Sequence, residues 1–166
     1  MSYPQFPSQQ PYPPQQYPSQ QSWGSGEPPL WAPYYGAPLA AAVKRFFTKY
    51  ATFSGRASRS EYWWWFLVST LVGIVLNIIV QSGVRYTAYG STAGPGTIIG
   101  GILAVIFLLA TLVPSLALCV RRLHDSNKSG WMVLLGLIPF AGAIILLVFT
   151  LLGPDPRGQQ YDQPTA

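Results

Sequence analysis

The densest cluster of groups able to do chemistry is Arg121-Arg122-Leu123-His124-Asp125-Ser126-Asn127-Lys128, set between two apolar runs. A histidine beside a carboxylate invites an acid–base reading, and the two arginines invite an anion. The spacing argues against catalysis: residues one apart on a helix do not face each other, whereas Arg121 and Asp125, four apart, can pair. His124 is the single histidine, with no second His, Cys or Glu at ligand spacing, so no metal site is expected. The single cysteine, Cys119, excludes a disulfide framework and reads as a buried structural thiol. The stretch reads first as a basic anchor at a helix end, where arginines reach phosphates and complement the helix dipole. Arg121, Arg122, His124, Asp125 and Lys128 are therefore the candidate site for a lipid headgroup or another anion, with no catalytic residue and no cofactor expected.

The elements that position this cluster are membrane elements. Only 9% of the 166 residues are charged and 49% are hydrophobic, whereas about a quarter of a soluble domain's residues carry charge. The residues predict an all-α membrane protein: three transmembrane helices, preceded by a short amphipathic interfacial helix and a disordered arm. The arm covers residues 1–38, holds ten of the sixteen prolines, and repeats Tyr-Pro-Gln patterns such as Tyr12-Pro13-Pro14-Gln15-Gln16. It cannot bury enough apolar surface to offset ordering entropy, and it lacks the basic start and apolar core of a signal peptide. Residues 39–53 place Leu39, Val43, Phe46, Phe47 and Tyr50 at helical spacing, opposite Lys44, Arg45 and Lys49, as suits a helix lying among anionic headgroups. The three-span unit covers 58–152. Ser58 and Glu61 form a capping-box pattern ahead of a first span at 62–80; the second is at 97–120 and the third at 131–152, each near the ~20 residues that cross a bilayer. Residues 81–96 read as a loop and 153–166 as a short polar tail.

Basic residues set the orientation. Lys44, Arg45, Lys49, Arg56 and Arg59 precede the first span, and Arg121, Arg122 and Lys128 fill the second loop, against Arg85 and Arg157 on the other side. The N-terminus is expected in the cytoplasm and the C-terminus outside. This also explains the net charge of +5 without nucleic acid. Glu61 begins its helix at the same face as the arginines. We therefore expect an inter-helix network in which Glu61 pairs with Arg121 or Arg122 and Asp125 with Arg56 or Arg59. Asn77, in the outer part of the first span, is a further candidate for bonding across helices. Pro114 and Pro139 should free carbonyls near Ala110 and Leu135 and could open a notch lined by Ser115 and Gly136.

Two blocks also carry a resemblance. Phe53-Ser54-Gly55-Arg56-Ala57-Ser58-Arg59-Ser60-Glu61-Tyr62-Trp63-Trp64, and then Arg121-Arg122-Leu123-His124-Asp125 with Ser129-Gly130-Trp131 and Ile138-Pro139, resemble the DUF805 family over about residues 44–158. Asn127-Lys128 departs from the Gly-plus-basic pair more usual there, and the ending is shortened. The resemblance implies a small multi-span protein of the bacterial cytoplasmic (inner) membrane and brings no established activity. The function expected is a non-enzymatic scaffold or assembly factor, with anionic lipid as one partner, proteins bound through the arm as others, and a homo-oligomer as a further expectation. The alternative is an oligomeric transporter or channel subunit, and after it a lipid-headgroup enzyme using His124 and Asp125.

Overall fold

The structure, a computed structural model, describes residues 26–162. It is a helical bundle with two apolar helices long enough to cross a bilayer and one shorter apolar helix. Helix α1 (Leu39–Thr48) leads into α2 (Arg59–Ser82), strands β1 (Val84–Thr87) and β2 (Gly90–Ala93), α3 (Pro95–Asp125), a 3-10 helix (Gly130–Leu137), α4 (Ala141–Leu151) and a last 3-10 turn (Pro156–Tyr161).

Both long helices start and stop where local chemistry dictates. Ser58 and Glu61 close the expected capping box on α2, each satisfying the other's orphan backbone N–H. Pro95 opens α3 at a position where its missing N–H costs nothing. At the far end, Asn127 takes φ +56°. Asn127 N then donates to His124 O at 3.0 Å and Lys128 N to Leu123 O at 2.9 Å, a Schellman ending for which Asn is the usual substitute for Gly. The helix thus runs through Asp125 rather than stopping at Val120, which puts the whole Arg121–Asp125 cluster on helical geometry. Its 31 residues reach roughly 46 Å, longer than the ~30 Å hydrocarbon layer.

Three expectations about elements are corrected. The loop 81–96 contains a two-stranded antiparallel hairpin, Val84 opposite Ala93 and Thr87 opposite Gly90, so the fold is not purely α. The described part of the N-terminal arm, 26–38, is packed onto the bundle, with Ala32 and Ala37 buried; residues 1–25 lie outside the described residues. The run 131–152 is not one helix. Pro139 has no N–H, and Phe140 takes φ +58°, a rare conformation for a bulky residue. Any side chain at position 142 would strike Leu135 O, which requires Gly142 there. The two halves fold back as a hairpin: Gly130 lies against Val120 and His124, while Thr150 O and Leu152 O accept from Arg122. Both ends of the hairpin are therefore at the Arg121 end of α3.

The tail follows. Gly55 N donates to Tyr161 O at 2.9 Å and Asp155 N to Asp125 O at 2.8 Å. Residues 153–162 lie at the same end as the start of α2, not at the opposite end where a third full span would have carried them. Among the described residues, the far end of the bundle carries the β-hairpin with Arg85.

A small core sits near the populated end, with Phe46, Ala57, Trp65 and Leu118 packed against Tyr62 and Val68. Phe46 stacks on Trp65 with centroids 3.5 Å apart. The proline-derived notch is closed: Tyr50 Oη donates to the freed Ala110 O at 2.9 Å, Ile138 N donates to Leu135 O, and Ser115 Oγ accepts from Trp65 Nε1 at 3.3 Å. Cys119 is half-buried.

Candidate functional site

Two buried carboxylates organise the polar end. Glu61, 3% exposed, receives Arg45 Nε at 2.7 Å on Oε1. Its Oε2 receives Ser58 N at 2.9 Å and Tyr34 N at 3.1 Å. Arg45, 2% exposed, gives its remaining donors to the carbonyls of Pro28 (2.8 Å), Pro29 (3.2 Å) and Ala32 (2.5 Å). One ion pair thus staples the 26–38 strap, α1 and α2 together, and Ala37 adds bonds to Ser60 Oγ and Trp64 Nε1. The expected partner for Glu61 was Arg121 or Arg122. Arg45 takes that place because Arg45 on α1 and Lys49 at its C-cap, four apart, both face the bundle, while Lys44 stays exposed.

Asp125 is fully buried. It accepts from Tyr35 Oη at 2.7 Å and from Arg122 Nη1, with Arg56 Nη1 at 3.7 Å. The expected Asp125–Arg56 pairing is present, whereas Arg59 donates to Leu152 O. Arg56 is held mainly by Asp162, with Nε 2.9 Å from Oδ1 and Nη2 2.7 Å from Oδ2. Arg122, 0% exposed, also donates through Nε to Thr150 O at 3.0 Å and through Nη2 to Leu152 O, so it satisfies the orphan carbonyls at the end of α4. Burial, with help from the Asp125 charge, pushes the Tyr35 phenol well above its usual range, so Tyr35 stays a donor.

His124 Nδ1 lies 3.1 Å from Gly55 O; facing a carbonyl, it must carry the proton. Its ring is stacked on Tyr161, centroids 4.0 Å apart and planes 3° from parallel. Gly158 fits directly beneath His124 O, leaving no room for a side chain. Lys128 lies over the Phe149 ring. Asn77 is on the exposed face of α2 and makes no inter-helix bond among the described residues, so it is not part of this network.

Arg121 differs from its neighbours. It is 1% exposed, its Nε donates to Ala117 O at 3.2 Å, and its Nη2 has no partner among the described residues. Lys49 is 3% exposed, and its side chain makes no hydrogen bond or ion pair among the described residues. Burial pushes its ammonium from 10.5 down to about 7, opposed by Glu61 and reinforced by Arg45 and Arg121. The unfolded chain keeps that proton up to the higher value, so between the two the unfolded state binds more protons and stability rises with pH. Wild-type protein should accordingly gain stability from pH 7 to 9 in detergent unfolding. Lys49→Met should flatten that rise, and an unchanged slope would show that Lys49 is not held in this way.

Reading the sequence alone misses Arg45, Lys49, Tyr35, Tyr161 and Asp162. One signal was available: no glutamine occurs between Gln21 and Gln81, so the repeat pattern ends well before residue 38.

The family described as "Protein of unknown function (DUF805)" matches residues 50–163. The chain belongs to the DUF805 family. Among its relatives, Inner membrane protein YhaI of Escherichia coli (strain K12) is 41% identical over 100 residues, covering 60% of this chain and 74% of that protein. Inner membrane protein YhaH of the same organism is 36% identical over 117 residues, covering 65% and 89%. No solved structure matches. This DUF805 protein is a multi-pass integral membrane protein homologous to bacterial inner-membrane proteins. The matched region takes in every residue of the Asp125 network except Tyr35, while Arg45 and Lys49 lie just before it.

Proposed function

We propose that this protein is a non-enzymatic scaffold or assembly factor of the bacterial cytoplasmic membrane, holding its N-terminal arm at the cytoplasmic face and binding anionic lipid and protein partners. The observation that carries this reading is the engagement of His124 and Asp125. The groups best suited to acid–base chemistry are committed to joining the strap, the 55–57 turn, α3 and the tail: His124 to Gly55 and Tyr161, Asp125 to Tyr35, Arg122 and Arg56. Such a latch gives a rigid base for the tyrosine- and glutamine-rich segment that continues from it.

Orientation supports the same reading. Of the ten Lys and Arg residues, all but Arg85 belong to the end that carries the latch, Arg157 now included. Positive charge is retained on the cytoplasmic side, so that end faces the cytoplasm and takes the C-terminal tail with it. The hairpin 130–151 then enters and leaves the membrane from one side. Deleting residues 1–25, which spares the strap, tests the reading: the variant should remain folded in the membrane and lose protein partners identified by in-cell crosslinking and native mass spectrometry. Partners retained in full after the deletion would contradict it.

One observation favours a second reading, an oligomeric transporter or channel subunit. Non-helical backbone at Ile138–Phe140, between two half-length helices, resembles the interrupted helices that line solute sites, and such backbone is stable in a membrane only against protein or water. Solute flux in liposomes that disappears with Gly142→Val would favour this reading over the scaffold.

A further inference from the structure

The Glu61 side of the polar end is electrically incomplete. Three cations, Arg45, Lys49 and Arg121, share one carboxylate, and the Arg45–Glu61 pair is closed by its own hydrogen bonds. Arg121 folds back along α3 to Ala117 O, toward the level where Phe46 packs on Leu118. Lys49 comes from the same face of α1, between Phe46 and Tyr50, whose hydroxyl reaches Ala110 O. It is close enough to Arg45, Glu61 and Arg121 to feel all three charges. The other acid within its electrostatic reach, Asp162, is occupied by Arg56.

Leaving a charge buried and unpaired costs several kcal/mol, and Arg121 Nη2 is a buried donor with no acceptor among the described residues, so an anion beside it, within electrostatic reach of Lys49, would complete this side of the bundle. We infer that Lys49 and Arg121 form a binding site for a phosphate group, carried by a phospholipid headgroup or free in solution. Both side chains are donors only and so take an acceptor, and the forked guanidinium and the point-charge ammonium together suit phosphate oxygens. The depth is appropriate for a headgroup: Glu61 lies in the first turn of α2 and Arg121 one turn before the end of α3, at the level where a bilayer carries its phosphates. Lys49 is followed directly by Tyr50 to Ser54, all exposed, so the site is one residue from the surface. The headgroup source rests on the orientation in the proposed function. The site itself does not, and it does not involve the arm.

Full-length protein, delipidated in neutral detergent, is titrated with inorganic phosphate, with phosphatidylglycerol and with chloride, and its thermal midpoint is followed. Wild type should rise saturably with inorganic phosphate or with phosphatidylglycerol. Lys49→Gln and Arg121→Gln should each weaken that response roughly tenfold or more, about 1.4 kcal/mol, while Lys49→Arg and Arg157→Gln keep it. Response to inorganic phosphate assigns a free ligand, and response to phosphatidylglycerol alone assigns the headgroup. Because each neutral variant removes an unpaired buried charge, it should fold at least as well as wild type without ligand. The inference is overturned if neither phosphate source stabilises wild type, if chloride serves equally well, or if both Gln variants respond like wild type. Loss of partners on deleting residues 1–25 would be unaffected by any of these outcomes, so the two readings fail separately.

Discussion

Glu61→Gln should destabilise the protein by about 3–5 kcal/mol, the range found when one member of a buried ion pair is removed. The substitution keeps the size of the side chain and a carbonyl oxygen for the capping box, so the effect isolates the charge. Without it, Arg45, Lys49 and Arg121 remain as three buried cations with no acid on their side of the bundle. Arg45 keeps its three carbonyl acceptors, which limits the loss, and Tyr34 N and Ser58 N can keep the one oxygen they already share, but Arg45 Nε would then face the amide NH2 in place of Oε1. Marginal stability of ordinary domains is only about 5–15 kcal/mol, so depletion from the membrane should accompany the loss. A second change, Arg45→Met, should recover part of it, because replacing a whole buried pair with apolar side chains is often neutral. Equilibrium unfolding in mixed micelles measures both. A Glu61→Gln variant within about 0.5 kcal/mol of wild type would mean that the strap is not held by this pair.

Asp125→Asn should cost a similar ~3–5 kcal/mol by the same argument, with a different structural signature. Arg122 would stay buried without a counter-charge, and Tyr35 would lose its carboxylate acceptor. Because Asp125 O also receives Asp155 N and Arg56 bridges Asp125 to Asp162, the tail should loosen before the helices do. Faster trypsin cleavage after Arg157 is the expected sign. Combining Asp125→Asn with Arg122→Leu should recover only part of the loss, since Arg122 also caps the carbonyls of Thr150 and Leu152. Full recovery would show that the α4 contacts contribute nothing, and an unchanged cleavage rate would show that the tail is held elsewhere.

What could be read from the residues was what short-range chemistry determines. Ser58 and Glu61 at capping-box spacing and apolar runs of membrane length depend on neighbours within a few positions, whereas the extra turn that carries α3 past Val120 to Asp125 was not legible. Arg121 and Arg122 read as a headgroup anchor at a helix end, whereas both lie inside the protein. The pairing of Glu61 was not legible, because nothing local distinguishes an arginine on an interfacial helix from one turned inward. That choice belongs to Pro28, Pro29 and Ala32, whose carbonyls come from a segment that shares the proline-rich composition of the arm. The hairpin was hidden for another reason. Twenty-two apolar residues satisfy lipid equally well as one span or as two half-length helices, so hydropathy cannot separate them. Gly136, Pro139 and Gly142 carry the difference through a backbone contact between Gly142 and Leu135, which periodicity does not encode. Once the run doubles back, Tyr161 and Asp162 arrive at His124 and Arg56, and a site that read as one loop becomes a junction of strap, loop, helix end and tail.

The most direct measurement is side-specific cysteine labelling in a Cys119→Ser background, with single cysteines at Lys44 beside the strap, Gln159 in the tail and Tyr89 at the tip of the β-hairpin. All three positions are exposed. Membrane-impermeant reagent applied to right-side-out spheroplasts should label only Tyr89→Cys, and in inverted vesicles only Lys44→Cys and Gln159→Cys. Labelling of Gln159→Cys from the outside, together with Tyr89→Cys, would mean that residues 131–152 cross the membrane completely and that the tail does not close the latch on His124 and Arg56.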